Sequence, residues 1–352
     1  MDLKGLKFSD RSFFKENVII DCGCSFTKCG FGDSPVPLFV VPYDLSKYYL
    51  RENPLTSTEW RSVAADYLSY VLFQLMNIKA SERRLVIGYD IYAPESFIDA
   101  LCDISLNSMK VLSIYVYPSL CSSLYGYGNM NGLIVNIGYL ETQCIAMIQG
   151  TSLQKTLKSV QLGSKNIEDN IKLLPGYKDI SINTIRTHIQ NAIYFRSPND
   201  EEKPEYTTLG GNYQHINISA ENRWKVTECL FSSEINNNSI PLTICDSLLS
   251  ASRADRVTLI KNILISGGLA TLPGLKKRLY IEIANVIVHV SKYKELIPLL
   301  RAINIVESDI SSFYIPFHGL STISNLDNAI TYITAEMYAQ NHFKDPLIHG
   351  NI

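Results

Sequence analysis

Asp21, Gly23, Ser25 and Lys28 crowd into one short stretch, VIIDCGCSFTKCGFGD (Val18–Asp33). The chemistry open to such a set is anion binding. A lysine brings positive charge, while glycine-rich backbone and a hydroxyl bring hydrogen-bond donors that can cradle a phosphate. The same residues also suit a tight turn that binds nothing, because Gly, Ser and Asp are turn formers. Cys22, Cys24 and Cys29 raise a metal site as another option, but no fourth ligand is signposted and the six dispersed histidines show no H-x-x-x-H spacing. The eight cysteines form no C-x-x-C knuckle and read as reduced packing residues.

To hold these side chains together, the chain needs two short strands, Val18–Asp21 and Phe26–Phe31, around a glycine-marked turn. Strands and helices then alternate, which predicts an α/β architecture. Trp60–Met76 reads as an amphipathic helix, RLVIGYD (84–90) as a buried strand, Pro94 as the start of a helix with Glu95 in its first turn, and VLSIYVYP (111–118) as another strand. Gly132–Gly150 repeats the opening plan of strand, turn at Gly138 and strand. VIIDCG and LIVNIG share apolar-apolar-apolar-(Asp/Asn)-x-Gly at a spacing of 115 residues (21 to 136). Two such hairpins predict a duplicated fold of two lobes, with a ligand cleft between their turns. Further on, NILISGGLATLPGLKKRLYIEI (Asn262–Ile283) runs a buried strand into Gly267–Gly268, and Pro273–Gly274 opens a helix. Paired glycines there let backbone approach a flat or anionic ligand, though they also serve as a plain strand exit. Ser197–Asn212 and Ser232–Ser239 read as surface loops.

The 352 residues suffice for two domains. With 34 acids against 32 bases, the chain shows no electrostatic footprint for nucleic acid or an anionic membrane. Its apolar runs, such as Ile263–Ile265 and Val286–Val290, are too short to span a bilayer. MDLKGLKFSDRS lacks the apolar core of a signal peptide. A cytosolic or nuclear protein is the expectation.

In their order along the chain, these pieces resemble the actin family almost end to end. DCGCSFTKCGF resembles that family's first phosphate loop, VNIGYLETQCIAMIQG its second, and ISGGLATLPGLKKRL its adenosine-side motif. INISAENRWKVTECLF, DSLLSASRADRVTLIKNILISGG and YIPFHGLSTISNL…YITAEMYAQ resemble the connecting and closing segments. SFTKCGF, DSLL and KYKEL (292–296) are most similar to the divergent branch at the pointed end of dynactin's filament.

The resemblance implies an actin-like, ribonuclease H-like duplicated fold of class α/β. It has two lobes, a central nucleotide cleft and a reduced upper small subdomain. The first lobe would span residues 1–132, with 305–352 packing back on it, and the second 133–304. ATP or ADP with Mg is the implied cofactor. Asp21 would hold the hydrated cation, Gly23, Cys24, Ser25 and Lys28 the phosphates, Asn136 and Gly138 the second-loop side, and Gly267, Gly268 and Leu272 the adenosine. Departures from the family weigh against hydrolysis. Asn136 stands in place of an aspartate, and Tyr139 and Leu140 replace an acid-glycine pair. Ser119 stands at the water-positioning glutamine and Gln143 at a nearby histidine. Only 54 positions separate Phe31 from Leu85 (31 to 85), short for the subdomain whose loop grips the next subunit.

The expectation is a non-catalytic, cytoplasmic, cytoskeletal subunit that does not polymerise alone. Its partners would be an actin-like filament subunit and the other pointed-end subunits of dynactin. The alternatives are an actin-related subunit of a nuclear chromatin-remodelling complex, a divergent lineage-specific protein with weak ATPase activity, or an enzyme of the wider sugar-kinase and chaperone fold using Asp103 or Glu141. Tyr43–Leu50 and Phe313–Phe317 are aromatic stretches that suit either a contact surface or, more simply, core packing.

Overall fold

The computed structural model describes residues 17–209, 215–231, 238–326 and 330–343. The N-terminal MDLKGLKFSDRS segment, residues 210–212 of the first polar loop and most of Ser232–Ser239 lie outside the described residues. The chain divides into two compact units, Met1–Met130 with Tyr314–Ile352, and Asn131–Phe313. Each is a mixed α/β unit built on one mixed sheet.

In the first unit, strands β1 (Asn17–Cys22), β2 (Phe26–Phe31), β3 (Phe39–Pro42), β4 (Arg84–Tyr89) and β5 (Ser113–Pro118) form a sheet in the order β3-β2-β1-β4-β5. The β3-β2-β1 side is an antiparallel meander, whereas β4 and β5 join β1 in parallel. Parallel strands need crossovers, and helices supply them. Every residue of β1 is buried, which explains its unbroken apolar run where an exposed strand would alternate.

The helix expected over Trp60–Met76 starts earlier, at Ser57, because Thr56 and Glu59 form a reciprocal capping box. It runs to Ser69 and continues as a wider turn over Tyr70–Leu75. The helix Glu95–Asp103 starts directly after Pro94 as expected. Trp60, Tyr67, Leu68, Phe97 and Leu101 from these helices pack on the sheet with Ile20 and Ile87. Each such large side chain stabilises by about 1.5–3 kcal/mol on full burial.

The second unit repeats the plan. Strands β6 (Gly132–Ile137), β7 (Thr142–Ile148), β8 (Thr151–Val160) and β11 (Ile263–Ser266) lie in the order β11-β6-β7-β8, with β9 (Tyr206–Leu209) and β10 (His215–Ile218) forming a separate hairpin. The β8-β7-β6 side is antiparallel and β11 joins β6 in parallel. A parallel bridge from Ile263 to Ile305 continues this sheet where β5 continues the first. The DSLLSASRADRVTLI stretch is two helices, Ile240–Ser250 and Arg253–Ile260. Ser252 breaks them apart, since its hydroxyl caps the second helix by accepting from the Asp255 N–H at 3.2 Å.

Both aromatic stretches contribute to packing. Tyr43 sits edge-on to Tyr67 at 4.8 Å, Tyr48 and Tyr49 pack on Trp60, and Leu45 is buried. Ile315 and Phe317 are fully enclosed. All eight cysteines are thiols, seven of them buried, and burial pushes Cys22 and Cys29 up to about 12. Among the described residues no helix is long and apolar enough to cross a membrane.

Candidate functional site

The β1–β2 register sets Asp21 directly opposite Lys28. Opposed residues of an antiparallel pair share a face, so the two side chains meet. Lys28 Nζ donates to Asp21 Oδ2 at 2.7 Å, with both groups buried. The other carboxylate oxygen, Oδ1, accepts from Ser119 Oγ at 2.7 Å. Ser119 begins the helix Ser119–Gly126 that follows β5, two strands away from Asp21. Gly88 of β4, paired with Asp21, makes that reach possible. A Cβ at this position would stand 2.5 Å from Ser119 Oγ and strike Leu320.

The turn above this pair is held from one side by its carbonyls. Cys24 O accepts from the Leu45 and Ser46 N–H groups at 2.9 and 3.1 Å, and Ser25 O accepts from Tyr43 at 3.1 Å. Gly23 N–H turns back to Asp21 O, and a Cβ on Gly23 would lie 2.5 Å from Phe26 O. Ser25 is 5% exposed and its Oγ has no hydrogen-bond partner among the described residues. A buried hydroxyl in that condition costs stability unless something accepts from it. This is the feature of the first loop that points to a ligand, and a phosphate oxygen fits it.

The second loop has the same skeleton and different chemistry. Asn136 stands opposite Gln143 in the β6–β7 register. Asn136 Oδ1 accepts from Ser266 Oγ at 3.2 Å, and Gln143 Nε2 donates to Glu141 Oε1 at 2.9 Å. A charged pair is thus replaced by two amides. Gly138 N–H closes the turn on Glu141 O at 2.9 Å. Tyr139 is clamped: its hydroxyl donates to Glu168 Oε2 at 2.8 Å, Arg186 Nε donates to Glu168 Oε1 at 2.8 Å, and the Arg186 guanidinium lies over the Tyr139 ring. Burial and the Glu168 carboxylate raise the Tyr139 phenol well above its usual range. The loop carbonyls of Gly138 and Tyr139 accept from the Ser164 and Lys165 N–H groups, the first donors of the helix Ser164–Lys172. Gly163 permits this approach, because a Cβ there would fall 2.5 Å from Tyr139 O.

The three adenosine-side positions separate. Gly267 has φ +106°, its N–H donates to Ser312 O at 3.1 Å, and a Cβ would run into Ile137 O. It is a glycine by steric demand. Gly268 opens a short 3-10 turn, and a Cβ would meet only the Phe313 ring, 3.8 Å off. Leu272 is buried in the second unit's core. The enzyme candidates are engaged elsewhere: Asp103 pairs with Arg61 and accepts from Asn107, while Glu141 accepts from Gln143.

The residues fit a phosphate better than they fit a divalent cation. Both oxygens of Asp21 are occupied by this chain's own donors, and its charge is balanced by Lys28. The equivalent residue of the second loop is a neutral amide. Among the described residues no group of three or more His, Cys, Asp or Glu side chains is placed to hold a metal.

Sequence reasoning missed Glu168, Arg186 and Gly88. An isolated glycine inside the apolar RLVIGYD run carried a signal of close approach. Nothing local marks Glu168 or Arg186.

A sequence model described as Actin matches residues 58–219. Actin-related protein 10 of Dictyostelium discoideum is 21% identical over 94% of this chain and 87% of its own length. Actin-related protein 2 of Acanthamoeba castellanii is 21% identical over 76% of this chain and 80% of its own. Actin-related protein 8 of Oryza sativa subsp. indica is 21% identical over 83% of this chain and 63% of its own. The chain is thus similar to actin-related proteins along most of its length, and its residues 58–219 match the Actin model.

Proposed function

We propose that this chain is a non-catalytic actin-related protein that caps the pointed end of the actin-like filament in dynactin, in the cytoplasm. The observation that carries the reading is the path between β3 and the Ser57–Ser69 helix. It holds one four-residue helix, Ser46–Tyr49, folded back onto the first loop through the Cys24 and Ser25 carbonyls. A subunit whose upper segment is spent on its own loop accepts a neighbour on one side and presents no gripping loop on the other.

Two of the three dynactin-like stretches also meet. Asp246 of DSLL accepts from Lys292 Nζ and, at 2.8 Å, from the Tyr293 hydroxyl of KYKEL. Loss of hydrolysis is part of this reading, and the loop chemistry supports it. Ser119, at the position of a water-positioning glutamine, is committed to Asp21, and the second loop supplies amides and a clamped tyrosine. The first loop keeps the donors for a nucleotide's phosphates, with Ser25 and Lys28 nearest that role.

Affinity purification of the tagged protein from its own cells, followed by mass spectrometry, tests the assignment. Recovery of an actin-like filament subunit with dynactin shoulder and pointed-end proteins is the expected result. Recovery of chromatin-remodelling subunits, or of no partner, would overturn it.

A further inference from the structure

We propose that the first loop takes the phosphates of a nucleotide without a divalent cation, Asp21 acting as the internal counterion of Lys28 and as no metal's ligand. This rests on the reading of the first loop as a nucleotide site.

Three observations converge. First, Asp21 is satisfied on both oxygens, by Lys28 Nζ and Ser119 Oγ, each at 2.7 Å. A cation-holding carboxylate offers those lone pairs to the metal or to its waters. Second, the charge sum is wrong for a cation. Asp21 and Lys28 cancel within the loop, so the carboxylate that would meet a divalent ion here is already balanced by a buried ammonium. Gly88 is part of this arrangement, since its missing Cβ is what admits Ser119 to the carboxylate. Third, among the described residues of the turn the polar side chain left without a partner is a hydroxyl, which is able to donate. Ser25 Oγ is buried with no partner among the described residues, and an O–H in that position recognises an anion.

An anion therefore finds charge from Lys28 and a hydroxyl from Ser25, and the aspartate sets how much of the lysine's charge the anion feels. The consequence inverts the usual sign. Where a carboxylate bridges to phosphate through a metal, removing its charge weakens nucleotide binding. Here Asp21→Asn releases the lysine from its counterion and tightens binding.

The test is calorimetric titration of the whole protein with ADP, and separately ATP, in EDTA and in magnesium chloride. The dissociation constants are expected to agree within about threefold in the two buffers, against a loss of about tenfold or more in EDTA for a metal-bridged site. Asp21→Asn is expected to bind ADP in EDTA about threefold or more tightly than the parent. If that variant does not fold, Ser25→Ala serves, because it removes a buried hydroxyl that lacks a partner. It is expected to fold at least as stably as the parent and to bind ADP about fivefold or more weakly in EDTA. Binding that requires magnesium overturns the proposal and leaves the nucleotide reading standing. Absence of ADP and ATP binding in both buffers overturns the nucleotide reading, and this proposal with it.

Discussion

Asp21 and Asn136 occupy the same step of two copies of one strand pair. Each is the residue two before the turn glycine, Gly23 or Gly138, and each faces the residue seven positions on, Lys28 or Gln143. Each also pairs in parallel with a small residue of the next strand, Gly88 or Ser266. The two strand pairs share their backbone pattern and differ in charge. One copy carries a buried ion pair, the other a pair of amides.

That exchange predicts unequal costs for equivalent substitutions. Lys28→Met leaves the buried Asp21 carboxylate without its partner and is expected to cost about 3–5 kcal/mol. Gln143→Met removes a neutral amide that donates to Glu141 and is expected to cost about 1–2 kcal/mol. Urea unfolding of the two variants, compared at the midpoint with slopes unchanged, measures the difference.

The Tyr139 clamp makes the second loop rigid by internal contacts. Tyr139→Phe deletes the hydroxyl that donates to Glu168 and is expected to lose about 1.5–3 kcal/mol, a charged acceptor being involved. Amide hydrogen exchange should then speed up at Gly138–Glu141 and in the first turn of Ser164–Lys172, whose N–H groups the loop carbonyls receive. Unchanged exchange in both segments would show that the tyrosine does not hold the loop.

Adjacent glycines should differ sharply. Gly267→Ala combines a φ of +106° with a collision at the Ile137 carbonyl, and is expected to destabilise by more than about 2 kcal/mol. Gly268→Ala meets only a ring edge at ordinary contact distance and is expected to change stability by less than about 1 kcal/mol. Thermal unfolding of the pair separates a steric glycine from one with room for a side chain.

Acid should weaken the second unit through His188. This imidazole is buried, its Nδ1 lies 3.1 Å from the Tyr177 hydroxyl, and burial holds its pKa below the ordinary 6.5. The unfolded chain takes up that proton first as pH falls. The stabilisation is therefore complete above about pH 6.5 and is lost as pH drops from there toward the folded value. His188→Gln is expected to flatten this part of the stability–pH profile. It should not abolish the slope for the whole chain, because burial lowers His318 of the first unit in the same direction.

Purified protein incubated with ATP and magnesium is expected to stay in the supernatant on high-speed centrifugation. The short Ser46–Tyr49 segment is tied to its own loop through the Ser46 N–H, which is the reason to expect no grip on a following copy there. A sedimenting homopolymer would contradict the capping role.

Much of the frame is written locally. The VIIDCG and LIVNIG echoes, the two turns, and the helix starts at Pro94 and Gly274 follow from apolar runs, glycines and caps a few residues apart, because hairpins and helix ends form from near neighbours. The expected helix boundary at Trp60 missed by one turn because the Thr56–Glu59 box outweighs the onset of the apolar stripe.

What the sequence by itself determined is therefore the strand pairs and the residues at their tips, including Asn136 at the step where the first pair carries Asp21. Only the tertiary structure decided what those residues do. Ser119 reaches Asp21 across 98 residues of chain, through the gap left by Gly88, and Ser266 reaches Asn136 across 130. Glu168 and Arg186 come to Tyr139 from two helices. Such partnerships depend on strand order and helix placement, which burial of the shared core selects. A carboxylate in a sequence can hold a metal or neutralise a lysine. Here the neighbours that the sheet brings to Asp21 make the choice.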